Sequence, residues 1–144
     1  MKVRYITLLA SVIAVGQAPL LASSANAQAA VLRVNVDGVR SDRGSIRAAV
    51  IDAAGRRIAS AVSPAARGIT VILIHDVSPG EYAVRLYHDE NGNERMDRSI
   101  LGLPREGYGF SRSAHVALGM PSFASSRVTV TTGQVTTTTA RIAY

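Results

Sequence analysis

Asp89, Asn91, Asn93 and Asp97 bring four oxygen-bearing side chains to odd-numbered positions within nine residues of this chain, in the stretch YHDENGNERMD. A hard cation takes six to eight oxygen ligands, and loops supply them from alternate positions. Placed on a calcium loop, Asp89, Asn91 and Asn93 occupy positions 1, 3 and 5, the backbone carbonyl of Arg95 position 7, and Asp97 position 9. Two positions depart from that pattern. Position 6, where the bend favours glycine, is Glu94, and position 12, where a bidentate carboxylate belongs, is Ile100. Glu90, Glu94 or Glu106 can fill the gap only if the fold returns one of them to the loop. Such a site is expected to be weak, with a dissociation constant of about 10⁻⁴–10⁻³ M. The alternative is a metal-free loop whose Asp and Asn side chains cap their own backbone.

Other chemistry is sparse. The imidazoles are His75, His88 and His115, and no H-x-H or H-x-x-x-H spacing joins them. His75 lies in the most apolar run and is expected to be packed. His88 sits at a strand end beside Asp89, where it could orient the loop or, in a hydrolase alternative, serve as a base. His115 lies among small residues and is expected to be exposed. No serine stands in a G-x-S-x-G elbow, and no glycine-rich phosphate cradle with its lysine occurs. Asp89 and Asp97 could act as a glycosidase pair, but aromatics make up only 5% of the chain, too few for a sugar cleft. The chain therefore reads as non-catalytic. Tyr108 and Phe110, in GYGF, with Phe123, His88 and Glu106, form a candidate binding surface for an envelope polysaccharide or protein, or a lid over one end of the fold.

The elements that must position these residues read as strands. Leu32, Val34 and Val36 alternate with polar residues, as do Ile46, Ala48 and Val50, and Tyr82, Val84 and Leu86. Ile69 to His75 is nearly continuous apolar sequence, which predicts a central strand buried on both faces. Arg127 to Thr131 and Val135 to Ile142 add two more, the second rich in β-branched threonine. Turns fall at Asp52–Gly55, Val77–Gly80 and Thr132–Gln134. Ser60 to Arg67 reads as a loop or a short helix. Asp89 to Ser125 shows almost no periodicity, and so long a loop in a small domain points to function. About seven strands predict an all-β, Greek-key-type β-sandwich.

Lys2 and Arg4, the apolar run Ile6 to Val15 and Ala25-Asn26-Ala27 give the order of a cleavable secretory signal over residues 1–27. Residues 28–144 then form one domain, expected to be periplasmic or secreted, with no stable membrane span after cleavage. There are no cysteines, so no disulfides and no thiolate metal site. The formal charge of +6 rests on scattered arginines. They form no basic stripe, which argues against nucleic acid as a partner. A small outer-membrane barrel, suggested by the alternating C-terminal run, needs longer strands and aromatic girdles than the sequence offers.

Pro79-Gly80-Glu81-Tyr82, the run Tyr87 to Asn93, the segment LGLPREGYGFS (residues 101–111) and Pro121-Ser122-Phe123 form a joined set of motifs. Together they resemble a family of small exported bacterial proteins, domain-of-unknown-function family number 2141, over about Val31 to Tyr144. The family pattern has glycine where this chain has Glu94. The Gly-x-Tyr strand start is also similar to transthyretin-like sandwiches, which implies a transthyretin-like fold. The resemblance carries no catalytic residues.

Overall fold

Alternation of side chains across a pleated backbone sets most of the strands. The computed structural model describes residues 30–115 and 119–144. Within them lie eight strands: β1 (Ala30–Val39), β2 (Ser45–Ile51), β3 (Arg57–Pro64), β4 (Gly68–Val77), β5 (Gly80–Asp89), β6 (Tyr108–Phe110), β7 (Arg127–Val130) and β8 (Val135–Arg141). A short helix, α1 (Phe123–Ser126), precedes β7. The export signal expected over residues 1–27 lies outside the described residues.

Two sheets face one another. One has the order β4-β1-β8, with β1 antiparallel to β4 and parallel to β8. The other has the order β3-β2-β5-β6, and β7 pairs with the first half of β5 while β6 pairs with the second. The architecture is thus the expected all-β sandwich. Between the sheets Leu32, Val34, Ile46, Val50, Ile72, Ile74, Val84 and Leu86 are buried. Burying each such side chain stabilises the fold by about 1.5–3 kcal/mol. The β2–β3 turn is held by Asp52, whose Oδ1 accepts the amides of Ala54 at 3.0 Å and Arg56 at 2.9 Å.

Three expectations are corrected. The apolar run Ile69 to His75 is not buried on both faces. It lies in β4, an edge strand with β1 as its one ladder partner. Thr70, Ile72 and Ile74 point into the core, while Ile69 is 62% and Leu73 46% exposed. No second layer covers the outer face of that sheet among the described residues, so His75, in the outward phase, is exposed rather than packed. Ser60 to Pro64 is neither loop nor helix but the end of β3. Its pairing with β2 (Ala49 opposite Ser60, Ser45 opposite Pro64) overrides the weak local signal of small residues. The barrel alternative also fails. Sheet edges β3 and β4 are not joined by a ladder. The outer faces of β1 and β8 carry Arg33, Asn35, Asp37 and Thr137, not an apolar band. Among the described residues no helix is long and apolar enough to cross a membrane.

Two close approaches place the functional end. A Cβ on Gly44, whose φ is +68°, would stand 1.9 Å from the Asp89 carbonyl oxygen, so only glycine lets the chain ahead of β2 pass there. A Cβ on Gly109 would stand 2.5 Å from the Arg141 carbonyl. That absence of a side chain lets β6 sit beside β5 and meet the chain end, where Tyr108 and Ala143 exchange two backbone hydrogen bonds of 2.9 Å.

Candidate functional site

β5 ends in His88 and Asp89, both fully buried. Asp89 Oδ1 accepts the Asn93 amide at 3.1 Å. Its Oδ2 accepts the Glu94 amide at 2.9 Å and Arg47 Nε at 3.0 Å. Arg47 reaches the site from β2, and its Nη2 also pairs with Glu94 at 2.7 Å. A carboxylate bonded to the amides four and five residues ahead forces the chain to coil round it. The coil is completed locally: Asn91 Oδ1 accepts the Asn93 amide at 3.1 Å, and Asn93 Oδ1 accepts the Arg95 amide at 2.9 Å. Asp97 closes it. Its carboxylate accepts Asn93 Nδ2 at 2.9 Å and Asn91 Nδ2 at 2.8 Å, and these two donors, Asn93 first, hold it below the usual carboxylate range.

Asp89, Asn91, Asn93 and Asp97 are therefore brought together as the spacing predicts. Arg95 contributes its amide to the web, its guanidinium is exposed, and among the described residues its carbonyl accepts no hydrogen bond. Ile100, at the position where a twelfth-place carboxylate belongs, is wholly exposed. Glu94 has φ of +64°, so the bend expected of glycine forms even though a side chain is present. A left-handed residue other than glycine costs roughly 1–2 kcal/mol. Both Glu94→Gly and Glu94→Ala lose the Arg47 pair, so the difference between them isolates this strain. The glycine variant is expected to be more stable by about 1 kcal/mol in urea unfolding, and equal midpoints would show an unstrained bend.

Of the three glutamates that could return to the loop, Glu106 hydrogen-bonds its backbone at Asp97. The His88 amide donates to the Gly107 carbonyl at 2.8 Å, which lays residues 106–107 against the end of β5. Glu106 is only 7% exposed. Its Oε2 accepts the Asp97 amide at 3.2 Å, while its Oε1 is buried with no hydrogen-bond partner. Burial pushes the Glu106 carboxyl up. The charges of Asp89 and Asp97 push it the same way, against the Asp97 amide and against the Glu90 amide, which faces the carboxyl without forming a hydrogen bond of normal geometry. A buried carboxylate oxygen without a partner is costly, and this one belongs to a side chain set against two further carboxylates. As the side chains stand, no three carboxylate or imidazole groups among the described residues are close enough to clamp a metal. The Asn91 and Asn93 amide groups and Arg47 occupy the carboxylates instead. Turning those two amides would present oxygen in place of N–H.

His88 is not part of a surface. It continues the inward phase of Tyr82, Val84 and Leu86 along β5 and is fully buried. Its Nε2 donates to the Arg43 carbonyl at 2.8 Å, which leaves Nδ1 to accept from the Tyr144 hydroxyl at 2.7 Å. The Tyr144 oxygen also accepts the Arg40 amide at 3.1 Å, and the Arg40 guanidinium lies 4.2 Å from the ring centroid. Arg40 and Ser41 in turn hold Glu90, whose carboxyl falls to about 2 chiefly through its bond to Arg40. Sequence reasoning passed over Arg40, Arg47 and Tyr144, each more than forty residues from its partner.

The aromatic surface divides. Tyr108 and Phe110 pack edge to face, centroids 6.0 Å apart, and line a cleft of about 480 Å³ with Ser113, His115, Arg141 and Tyr144. Phe123 lines a smaller recess of about 140 Å³, to which Phe110 also belongs. Glu106 and His88 border neither.

No curated protein and no solved structure matches the chain. A family model described as "uncharacterized protein conserved in bacteria" matches residues 34–138, from β1 to the middle of β8 and across the whole acidic loop. The chain belongs to that family, domain-of-unknown-function family 2141.

Proposed function

We propose that this is an exported, non-catalytic binding or accessory module of the cell envelope, whose acidic loop is ordered by calcium. The observation that carries the reading is the buried, unpartnered Oε1 of Glu106 behind a loop of alternating Asp and Asn. Glu106 supplies the carboxylate that position 12 lacks, and Asp89, Asn91, Asn93, Asp97 and the Arg95 carbonyl supply the rest of an oxygen shell. Export rests on the charged start, apolar run and A-x-A of residues 1–27. The engaged ring nitrogens of His88 favour this reading over the hydrolase alternative, because a general base needs a free nitrogen facing its substrate. The cleft at Tyr108 and Phe110 is the place for an envelope polysaccharide or protein.

Thermal unfolding of the chain from Gln28 onward, in EDTA and in millimolar calcium with magnesium as control, tests it. Calcium is expected to raise the midpoint and magnesium not, and Asp89→Ala and Asp97→Ala to remove the rise. An unchanged midpoint in calcium would leave the loop as a self-capped scaffold.

A further inference from the structure

Beyond the acidic coil the chain makes a second, separate structure. Arg98 and Pro104 bridge, the Ser99 amide donates to the Leu103 carbonyl at 2.8 Å, and the Gly102 amide donates back to the Ser99 carbonyl at 2.9 Å. Ser99 Oγ accepts the Leu103 amide at 3.2 Å, and Arg98 Nη1 donates to the Gly102 carbonyl at 2.9 Å. Gly102 takes the left-handed turn position, with φ of +77°. The base is tied to the cation loop through the Arg105 amide and the Asp97 carbonyl, 2.8 Å apart. This is an ordered hairpin tip, and it spends its rigidity on holding aliphatic side chains in water. Ile100 is wholly exposed, Leu101 is 80% exposed and Leu103 half so. At the base of the hairpin stand the exposed Arg98 and Arg105, and Arg95 is exposed in the coil that precedes it. Of the nearest acids, Glu94 pairs with Arg47, and Asp97 is held in the coil below by the two asparagine amides.

We infer that the Ile100–Leu103 tip is a membrane-docking prong, which inserts its aliphatic side chains into a phospholipid bilayer surface carrying anionic headgroups. Two features select a bilayer over a protein groove. The exposed aliphatics sit on one short hairpin turn, whereas protein interfaces draw on broad patches with Tyr, Trp or buried Arg at their centre. Arg98 and Arg105, at the base of the hairpin, are exposed, and basic residues beside an apolar wedge are what an anionic leaflet attracts. The inference stands on this hairpin alone and does not require a cation in the loop beneath it.

Co-sedimentation of the chain from Gln28 onward, which holds every described strand, with phosphatidylcholine vesicles, with and without phosphatidylglycerol, tests it. Binding is expected for the mixed vesicles, not for phosphatidylcholine alone, and to fall as salt rises. The Ile100→Ser/Leu101→Ser variant, altered only in solvent-facing side chains, is expected to unfold at the wild-type midpoint. It should bind at least about tenfold more weakly, the factor that burial of one aliphatic side chain commands. Arg95→Gln/Arg105→Gln is expected to weaken binding and flatten its salt dependence. Equal binding by wild type and the Ser/Ser variant would reduce the effect to general charge attraction and overturn the prong. So would absence of wild-type binding to the mixed vesicles.

Discussion

Glu106→Gln is expected to stabilise the cation-free protein at neutral pH and to erase its response to calcium. The substitution keeps the size of the side chain and an acceptor for the Asp97 amide, and removes only the charge. In the folded state burial raises the Glu106 carboxyl above its ordinary value, with Asp89 and Asp97 adding to the effect. The folded protein therefore holds this proton more tightly than the unfolded chain. Its contribution to stability is complete below the unfolded value and is lost as pH rises through the folded one. With the carboxyl ionised, the folded wild type holds a buried charge, and relieving it should be worth about 1–2 kcal/mol. The wild-type midpoint in EDTA should rise as pH falls through the folded-state value toward the ordinary carboxylate range, and the Gln variant's should not. Below that, Glu90, held at about 2 by Arg40, works in the opposite sense: its stabilisation is lost as pH falls from its unfolded value through about 2. With calcium at about 100 times its dissociation constant the wild type should gain ~2.7 kcal/mol, a midpoint shift of ~10 °C. The Gln variant should gain nearly nothing. Calorimetry at pH 5 and pH 7, with EDTA or calcium, reads all four cases. A Gln variant that responds to calcium like wild type would remove Glu106 from the cation shell.

Much of this architecture is written locally. The alternation of Leu32, Val34 and Val36, and of Tyr82, Val84 and Leu86, specifies strands with one buried face, and the spacing Asp89, Asn91, Asn93, Asp97 specifies a coil round a carboxylate. What the sequence left open depends on layers and register. An apolar run such as Ile69 to His75 looks the same whether a second layer covers it or not. Small residues in Ser60 to Pro64 give no amplitude to an alternation, so β3 is fixed by β2 alone. A signal for the burial of His88 was present: it shares the parity of Tyr82, Val84 and Leu86, but its place beside an acidic loop suggested the surface. Arg47 was out of reach of any local pattern. It meets Asp89 because the β2–β5 register puts Ser45 opposite Asp89 and Arg47 opposite Tyr87, a pairing that closes over forty residues.

That register carries the second large effect. Arg47→Met is expected to lower the urea midpoint at pH 7, because removing the partly exposed guanidinium leaves the charge of the fully buried Asp89 uncompensated. Asp89 is fully buried, and without the guanidinium only the amides of Asn93 and Glu94 face its carboxylate. Methionine keeps the aliphatic bulk of the arginine stem, so loss of packing does not account for the cost. The variant also separates the two ways in which Asp89 can be neutralised. A cation bound as proposed would share the Asp89 carboxylate with Arg47, and in Arg47→Met it would have no competitor. Calcium should then stabilise Arg47→Met more than it stabilises wild type, and recover most of the lost stability. Adding Asp89→Asn to Arg47→Met should restore part of the stability in EDTA and abolish the calcium response, and the double-mutant cycle gives the pair's coupling directly. If calcium instead stabilised Arg47→Met less than wild type, Arg47 would be the residue that shapes the coil for the cation rather than its rival, and the acidic loop would depend on the β2–β5 register for its ligand geometry as well as for its charge.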